Sequence, residues 1–319
     1  MLTAQEINYL DPAVLASISN LELRARFAVE GFITGLHRSP FRGFSVEFSE
    51  YRRYQPGDDI RHIDWKLFAR SGQHYIRQYE EETNVRCYIL MDCSASMGYG
   101  SGSVTKLEYA KTLASALAYF MTNQRDAVGL ITFDHRVLDY LPSRYRQGHL
   151  MEILRTLANS RLGERTDLSR PVSDLAFSFQ KKGLIIFISD LLDGASDNPP
   201  DNPPDNPIDS RADEPDAIVK GLQQLRFKGN DVIVFHTMDD AELNFPFDRY
   251  AEFEDLESRE RLKAAPHAVR KAYLEEVENF CGFYRRKCRG SGIDYTLLNT
   301  SEPLGTALSA YLTKRAKSF

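Results

Sequence analysis

The chain has 319 residues, 42% hydrophobic and 27% charged, the balance of a globular protein long enough for one large domain or two smaller ones. A formal net charge of -5 argues against broad nucleic-acid binding, and no apolar run approaches the roughly 18–20 residues of a membrane helix. The four cysteines (Cys87, Cys93, Cys281, Cys288) form no Cys-x-x-Cys pair and the N-terminal residues lack the pattern of a signal peptide, so the expectation is a cytoplasmic protein with reduced thiols.

Residues 11–36 read as one helix, capped by Asp11 with Pro12 at its first position. Its apolar face is expected at Leu15, Ile18, Leu21, Leu23, Phe27 and Ile33, with Gly35 and Pro40 ending it. From residue 41 to 85 the texture turns to alternation and aromatics. Phe44, Val46 and Phe48 predict a half-buried strand, and Pro56-Gly57 a turn. A short helix capped by Asp58 or Asp59 should run to Ala69 and stop at Gly72, and a strand should follow at 73–79. This stretch is taken as a small β-rich subdomain with Trp65 as its core anchor; its arginines and carboxylates (Arg52, Arg53, Arg61, Arg70 against Asp58, Asp59, Asp64) read as a network that locks it to the sheet or, alternatively, as a partner surface.

An α/β unit then occupies 86–319, after a helical segment at 1–40 and the subdomain at 41–85. Strands are predicted at 87–91, 127–133, 137–141, 184–189, 231–236 and 295–298, with a short edge strand within 243–254. Helices are predicted at 104–123, 147–158, 168–180, 216–227, 266–289 and 303–317. Strands alternating with helices imply a doubly wound, mostly parallel sheet. Residues 194–216 interrupt the rhythm with an Asp-Asn-Pro-Pro repeat that carries no apolar payload, and are expected to form a disordered loop.

The first strand of this unit, Tyr88-Ile-Leu-Met91, is stopped by Asp92, and Ser94 and Ser96 follow at alternate positions. Open α/β sheets place ligands beyond the carboxyl ends of their strands. Three hard oxygen donors there suit a magnesium-like ion (Mg2+, or Mn2+ or Ca2+) rather than zinc. Thr166, in a loop before a helix, offers one more hydroxyl, and Asp190, after the strand at 184–189, a second carboxylate. If those two strands are neighbours, Asp92 and Asp190 emerge side by side, about 5 Å apart.

Asp92, Ser94, Ser96, Thr166 and Asp190, in that order on those element ends, resemble the metal-ion-dependent adhesion site of von Willebrand factor type A domains. The run Tyr54-Gln-Pro-Gly-Asp-Asp-Ile-Arg-His-Ile-Asp-Trp65, then Ala69-Arg70, with Asp92-Cys-Ser-Ala-Ser-Met97, resembles a bacterial family known as domain of unknown function 58, over residues 20–240. The resemblance implies that Ser94, Ser96 and Thr166 touch the ion while Asp92 and Asp190 act largely through water. It also implies a MoxR-type AAA+ ATPase as companion in chaperone-like assembly or maturation. Neutral hydroxyls leave a dication electron-poor, so a Glu or Asp of a protein partner would complete its shell. The expected function is therefore a non-enzymatic, metal-dependent interaction module without nucleic acid or membrane span. Two rivals stand beside it. One is a magnesium-dependent phosphoester hydrolase, although Ser94 stands where such phosphatases carry their general acid; His135, after the second strand, is the histidine weighed as its catalytic base. The other is a scaffold with no ion.

Overall fold

The computed structural model describes residues 11–38, 51–53, 68, 72–73, 75–77, 86–163, 168, 171–172, 182–192, 214–254, 256 and 261–318. Its contacts divide the chain into a small unit, residues 34–84, and a large one that joins residues 1–33 to 85–319. In the small unit β1 (Tyr51–Arg53) pairs antiparallel with β2 (Tyr75–Arg77). Gly72, the predicted helix stop, has a positive φ of 65° and its N–H reaches the carbonyl of Phe68 at 2.8 Å, the geometry of a left-handed helix end. The predicted strand at 44–48, most of the predicted helix before Gly72, Trp65 and the arginine network's partners lie outside the described residues.

The large unit is built on a six-stranded sheet in the order β10-β7-β6-β3-β4-β5. Its strands are β3 (Arg86–Asp92), β4 (Ala127–Phe133), β5 (Val137–Arg144), β6 (Leu184–Ser189), β7 (Asp231–Met238) and β10 (Asp294–Asn299). All pair in parallel except β5, which returns antiparallel along β4 and forms one edge. This is the doubly wound, mostly parallel α/β architecture expected from the strand–helix alternation. The four central strands are buried on both faces, which is why each reads as an unbroken apolar run rather than an alternating one. β3 is laid down first, the chain then builds outward through β4 and β5, and it returns to add β6, β7 and β10 on the other side. The switch point of the sheet therefore falls between β3 and β6, where such folds open a crevice for ligands.

The helices are α1 (Pro12–Ala16), α2 (Leu21–Arg38), α3 (Lys106–Asn123), α4 (His149–Asn159), α5 (Glu214–Phe227), α6 (Asp240–Asn244), α7 (Pro266–Gly290) and α8 (Gly305–Ser318). Helix α3 buries Leu107, Ala110, Leu113, Ala114, Leu117 and Phe120, the face its spacing predicts. A short hairpin, β8 (Ala251–Glu254) with β9 (Arg261–Ala264), lies between β7 and α7. β8 falls inside the predicted edge strand at 243–254, but it joins a separate two-stranded sheet, and its partner β9 was not foreseen. Of the predicted helix at 168–180 only Leu168, Pro171 and Val172 are described, and most of the loop at 194–216 is outside the described residues.

The single helix expected at 11–36 is two helices. Asp11 caps the first as predicted, its Oδ1 accepting from the N–H of Ala13 at 2.8 Å. The second has its own cap, Asn20, whose Oδ1 accepts from Glu22 N at 2.9 Å and Leu23 N at 3.2 Å. Asn competes for backbone donors and so starts a new helix instead of continuing the old one. The break rotates the face: Leu15 and Leu21 are buried, with Ala25, Ala28, Val29 and Phe32, whereas Leu23, Phe27 and Ile33 are exposed.

Arg24 ties these helices to α3. Its guanidinium, 6% exposed, donates to the carbonyls of Ala16 and Ile18, to Glu108 Oε2 and to Thr112 Oγ1, all between 2.9 and 3.2 Å. Replacing it removes its bonds to the carbonyls of Ala16 and Ile18. Arg24→Ala is expected to cost about 2–4 kcal/mol of unfolding free energy, read by urea denaturation, with Glu108 partly rescued by Lys111.

Candidate functional site

The site grows from the end of β3. Asp92 closes the strand, and Cys93 continues the ladder through its N–H to Phe133 O at 2.8 Å. The chain then turns: Ser94 N donates to Asp92 Oδ1 at 2.8 Å, and a single 3-10 turn spans Ala95–Gly98. That turn brings Ser94 Oγ within 3.0 Å of Ser96 Oγ. Lys106 N returns to Tyr99 O at 2.9 Å, and Thr105 caps α3 by accepting from Glu108 N at 3.2 Å.

β6 lies directly beside β3, with Met91 opposite Ile188. The next pair in that register is Asp92 and Ser189, so Asp190 stands one residue further on rather than level with Asp92. Ser189 Oγ donates to Asp92 Oδ2 at 2.6 Å and accepts from Leu191 N at 2.9 Å. Asp92, Ser94 and Asp190 are fully buried and Ser96 is 9% exposed. Of the five residues singled out in the sequence, these four are gathered at the switch point, while Thr166 lies outside the described residues. The flanks of its loop are described: Gly163 N donates to Cys93 O at 2.7 Å, and Leu168 is buried in the core with Leu90, Phe133 and Leu191.

Burial, and then the neighbouring Asp190 carboxylate, push the Asp92 carboxyl up to about 7, against the hydrogen bonds from Ser189 and Ser94. Among the described residues no cationic side chain touches Asp92. Asp190, in contrast, receives Lys106 Nζ at 2.8 Å, and the same ammonium donates to Glu242 Oε1 at 2.7 Å. Burial works to lower the Lys106 ammonium, but Asp190 and Glu242 outweigh it and hold it charged above the usual lysine range. Burial raises Glu242 despite that partner. His236, on β7, is fully buried, with Nδ1 2.6 Å from the Tyr295 hydroxyl and rings of Phe280 and Tyr284 around it. Burial lowers it to about 4, against the pull of Asp190. His135 is remote from this network in its bonding, pairing with Asp134 at 3.1 Å.

Sequence reasoning missed Lys106, Glu242 and the role of Ser189. Lys106 opens a helix after a glycine- and serine-rich loop, where a lysine is ordinarily solvated, and nothing local marks it as buried. Glu242 carries a readable signal only as the fourth residue of Asp239-x-x-Glu, a capping box.

The donors fit a hard cation: two buried carboxylates, one of them without a cationic partner among the described residues, stand at the strand ends with two serine hydroxyls 3.0 Å apart. No group of three or more His, Cys, Asp or Glu with metal-ligating placement occurs among the described residues, so any ion here depends on the serine hydroxyls.

A doubly wound α/β sheet with a buried carboxylate–hydroxyl cluster at its switch point is the class of structure that this chain defines. The chain belongs to the family described as protein of unknown function DUF58, whose profile matches residues 50–279, further toward the C-terminus than the 20–240 expected. It is 29% identical over 185 residues to uncharacterized proteins of Mycobacterium bovis and Mycobacterium tuberculosis, a stretch of 57% of this chain and 58% of theirs. The chain thus spans less than two thirds of the length of those curated relatives. Among solved structures it is similar to BatB from Bacteroides thetaiotaomicron (18% identity, TM-score 0.46, 73% of this chain and 99% of that one). It is also similar to an aerotolerance-related membrane protein from Bacteroides fragilis (18%, TM-score 0.44, 72% and 99%) and to the VWA domain of SpRpn10 (11%, TM-score 0.35, 70% and 94%). Among the described residues no helix is long and apolar enough to cross a membrane.

Asp92 and His236 act on stability in opposite directions. A carboxyl raised from 3.8 to about 7 contributes stability below its ordinary range and loses it as pH rises through 7. An imidazole lowered from 6.5 to about 4 does the reverse, costing stability as pH falls below 6.5. Without divalent cations, Asp92→Asn is expected to gain stability over the wild type as pH rises from 4 to 7, by on the order of 4 kcal/mol at most. His236→Phe is expected to show its largest advantage near pH 4 and to lose it by pH 6.5. Thermal melts across that range check both slopes.

Proposed function

We propose that this cluster is a cation-dependent docking point for another protein. Asp92, Ser94, Ser96 and Asp190, with Thr166 from the loop beyond Gly163, would hold a magnesium-like ion. A Glu or Asp of the partner would complete its shell. The observation that carries the reading is Asp92: a carboxylate with no exposed surface, raised to about 7 beside a second carboxylate, without a cation of its own among the described residues. Bound there, a dication supplies an electrophilic centre with affinity for an external carboxylate.

The chain's own residues support a holding role. The Ser94 N–H and Ser189 hydroxyl fix both oxygens of Asp92, and the 3-10 turn fixes the serine pair. In this reading the protein is not an enzyme. A general base would have to stand within hydrogen-bond reach of a substrate at the site. His236 is committed to Tyr295 and held neutral, and His135 is paired with Asp134. The partner we favour is a MoxR-type AAA+ ATPase in a chaperone-like assembly or maturation system, as the family likeness suggests. The setting we favour is the cytoplasm, in keeping with four buried cysteines that form no disulfide.

The test is co-precipitation of the purified protein with MoxR-type ATPases of its own organism in Mg2+, in chelator, and with Asp92→Ala. Retention in Mg2+ that falls at least tenfold in the other two is expected. Equal recovery in all three overturns the reading, and Mg2+-dependent turnover of p-nitrophenyl phosphate that Asp92→Ala abolishes would establish a hydrolase instead.

A further inference from the structure

The ion site as proposed makes no use of Lys106, yet this residue is the most completely buried cation described in the chain. Its side chain is 1% exposed, at the first position of α3, between Asp190 (0%) and Glu242 (15%). Its ammonium also lies 5.9 Å from the centre of the Tyr99 ring. Glu242 is itself held in place. Its other oxygen accepts from Asp239 N at 2.7 Å, while Asp239 caps α6 and receives Ser101 N at 3.1 Å and Thr300 Oγ1 at 3.0 Å. The bridge is therefore anchored at both ends, by β6 through Asp190 and by the capping box at the end of β7.

We propose that Lys106 and Glu242 are a charge-setting pair for the ion site: the ammonium weakens cation binding and the glutamate restores it. The inference rests on the cation reading above and deepens it. Counting the two site carboxylates and the pair itself, Asp92, Asp190 and Glu242 carry three negative charges when ionised and Lys106 one positive, a net -2 over these four, so the pair adds no net charge to the site. Without Lys106 the cluster would carry -3, and without the charge of Glu242 it would carry -1. A fixed ammonium also engages Asp190 Oδ2, while Oδ1 accepts from Leu192 N at 3.1 Å and keeps a lone pair for an ion or its water. Charges inside a buried cluster are weakly screened, so each change acts on the whole site.

This pair makes an unusual demand on its variants. An ion pair that only braced the fold would respond to loss of either partner in the same direction. A charge-setting pair responds in opposite directions.

The experiment is Mn2+ binding to the full chain near pH 7.5, read by the electron paramagnetic resonance signal of free Mn2+, for wild type, Lys106→Met, Glu242→Gln and the double variant. Lys106→Met is expected to bind roughly tenfold tighter or more, Glu242→Gln weaker by a similar factor, and the double variant, again at -2, within about threefold of wild type. Circular dichroism reports whether each variant folds. If Lys106→Met does not, Glu242→Gln decides: weaker Mn2+ binding at an unchanged metal-free melting temperature supports the pair's role, and unchanged binding overturns it. Single variants that both weaken binding, or leave it unchanged, overturn the charge-setting role while the ion site stands. A wild type that binds no Mn2+ up to millimolar concentration overturns the ion site and this inference together.

Discussion

Two carboxylates taken wholly out of water at one end of a sheet are the constraint around which this molecule is arranged. Removing a carboxylate from water costs several kcal/mol unless hydrogen bonds or an opposite charge offset it. Asp190 has its offset in Lys106, which in turn needs Glu242 to balance its own burial. Among the described residues Asp92 has dipoles alone, those of the Ser94 N–H and hydroxyl and of the Ser189 hydroxyl, and its raised affinity for a proton reflects what remains uncompensated. A group in that state is stabilised by either a proton or a cation. That competition is the physical basis for reading the site as one for an ion.

The fold creates the constraint through strand order. β3 and β6 are separated by some ninety residues in the chain and lie side by side because the chain reverses its direction of growth across the sheet at β3. Both strands are apolar on both faces, so each must lie in the middle of the sheet, and each carries its carboxylate to the same end because they run parallel. Helix α3 then delivers Lys106 to the same place: the turn from Ser94 to Tyr99 is tight enough that Lys106 N returns to Tyr99 O. A close approach at Gly100, where a side chain would meet the carbonyl of Val104 at 2.7 Å, is part of that turn.

Much of this was legible from the chain alone, for a stated reason. Buried parallel strands advertise themselves as short apolar runs, so β3, β4, β6 and β7 could be placed within a residue or two, and parallel winding followed from their alternation with helices. Asp92, Ser94 and Ser96 were legible because they are neighbours in sequence. The hairpin of β8 and β9 and the break between α1 and α2 were not, because short elements are set by one cap or one cross-strand pairing. Asn20 redirects a helix whose spacing looked continuous, and so exposes Leu23, Phe27 and Ile33.

By itself the sequence determined the periodicities and the local donors: which segments must be buried on both faces, and which oxygens stand within a few residues of a strand's end. Only the tertiary structure decided which long-range partners those oxygens meet. Ser189 rather than Asp190 lies level with Asp92, and Lys106 bridges Asp190 to Glu242 across 84 and 136 residues of chain. Periodicity is a property of neighbours along the backbone, whereas the charge balance of a buried cluster depends on register and winding that no local pattern encodes.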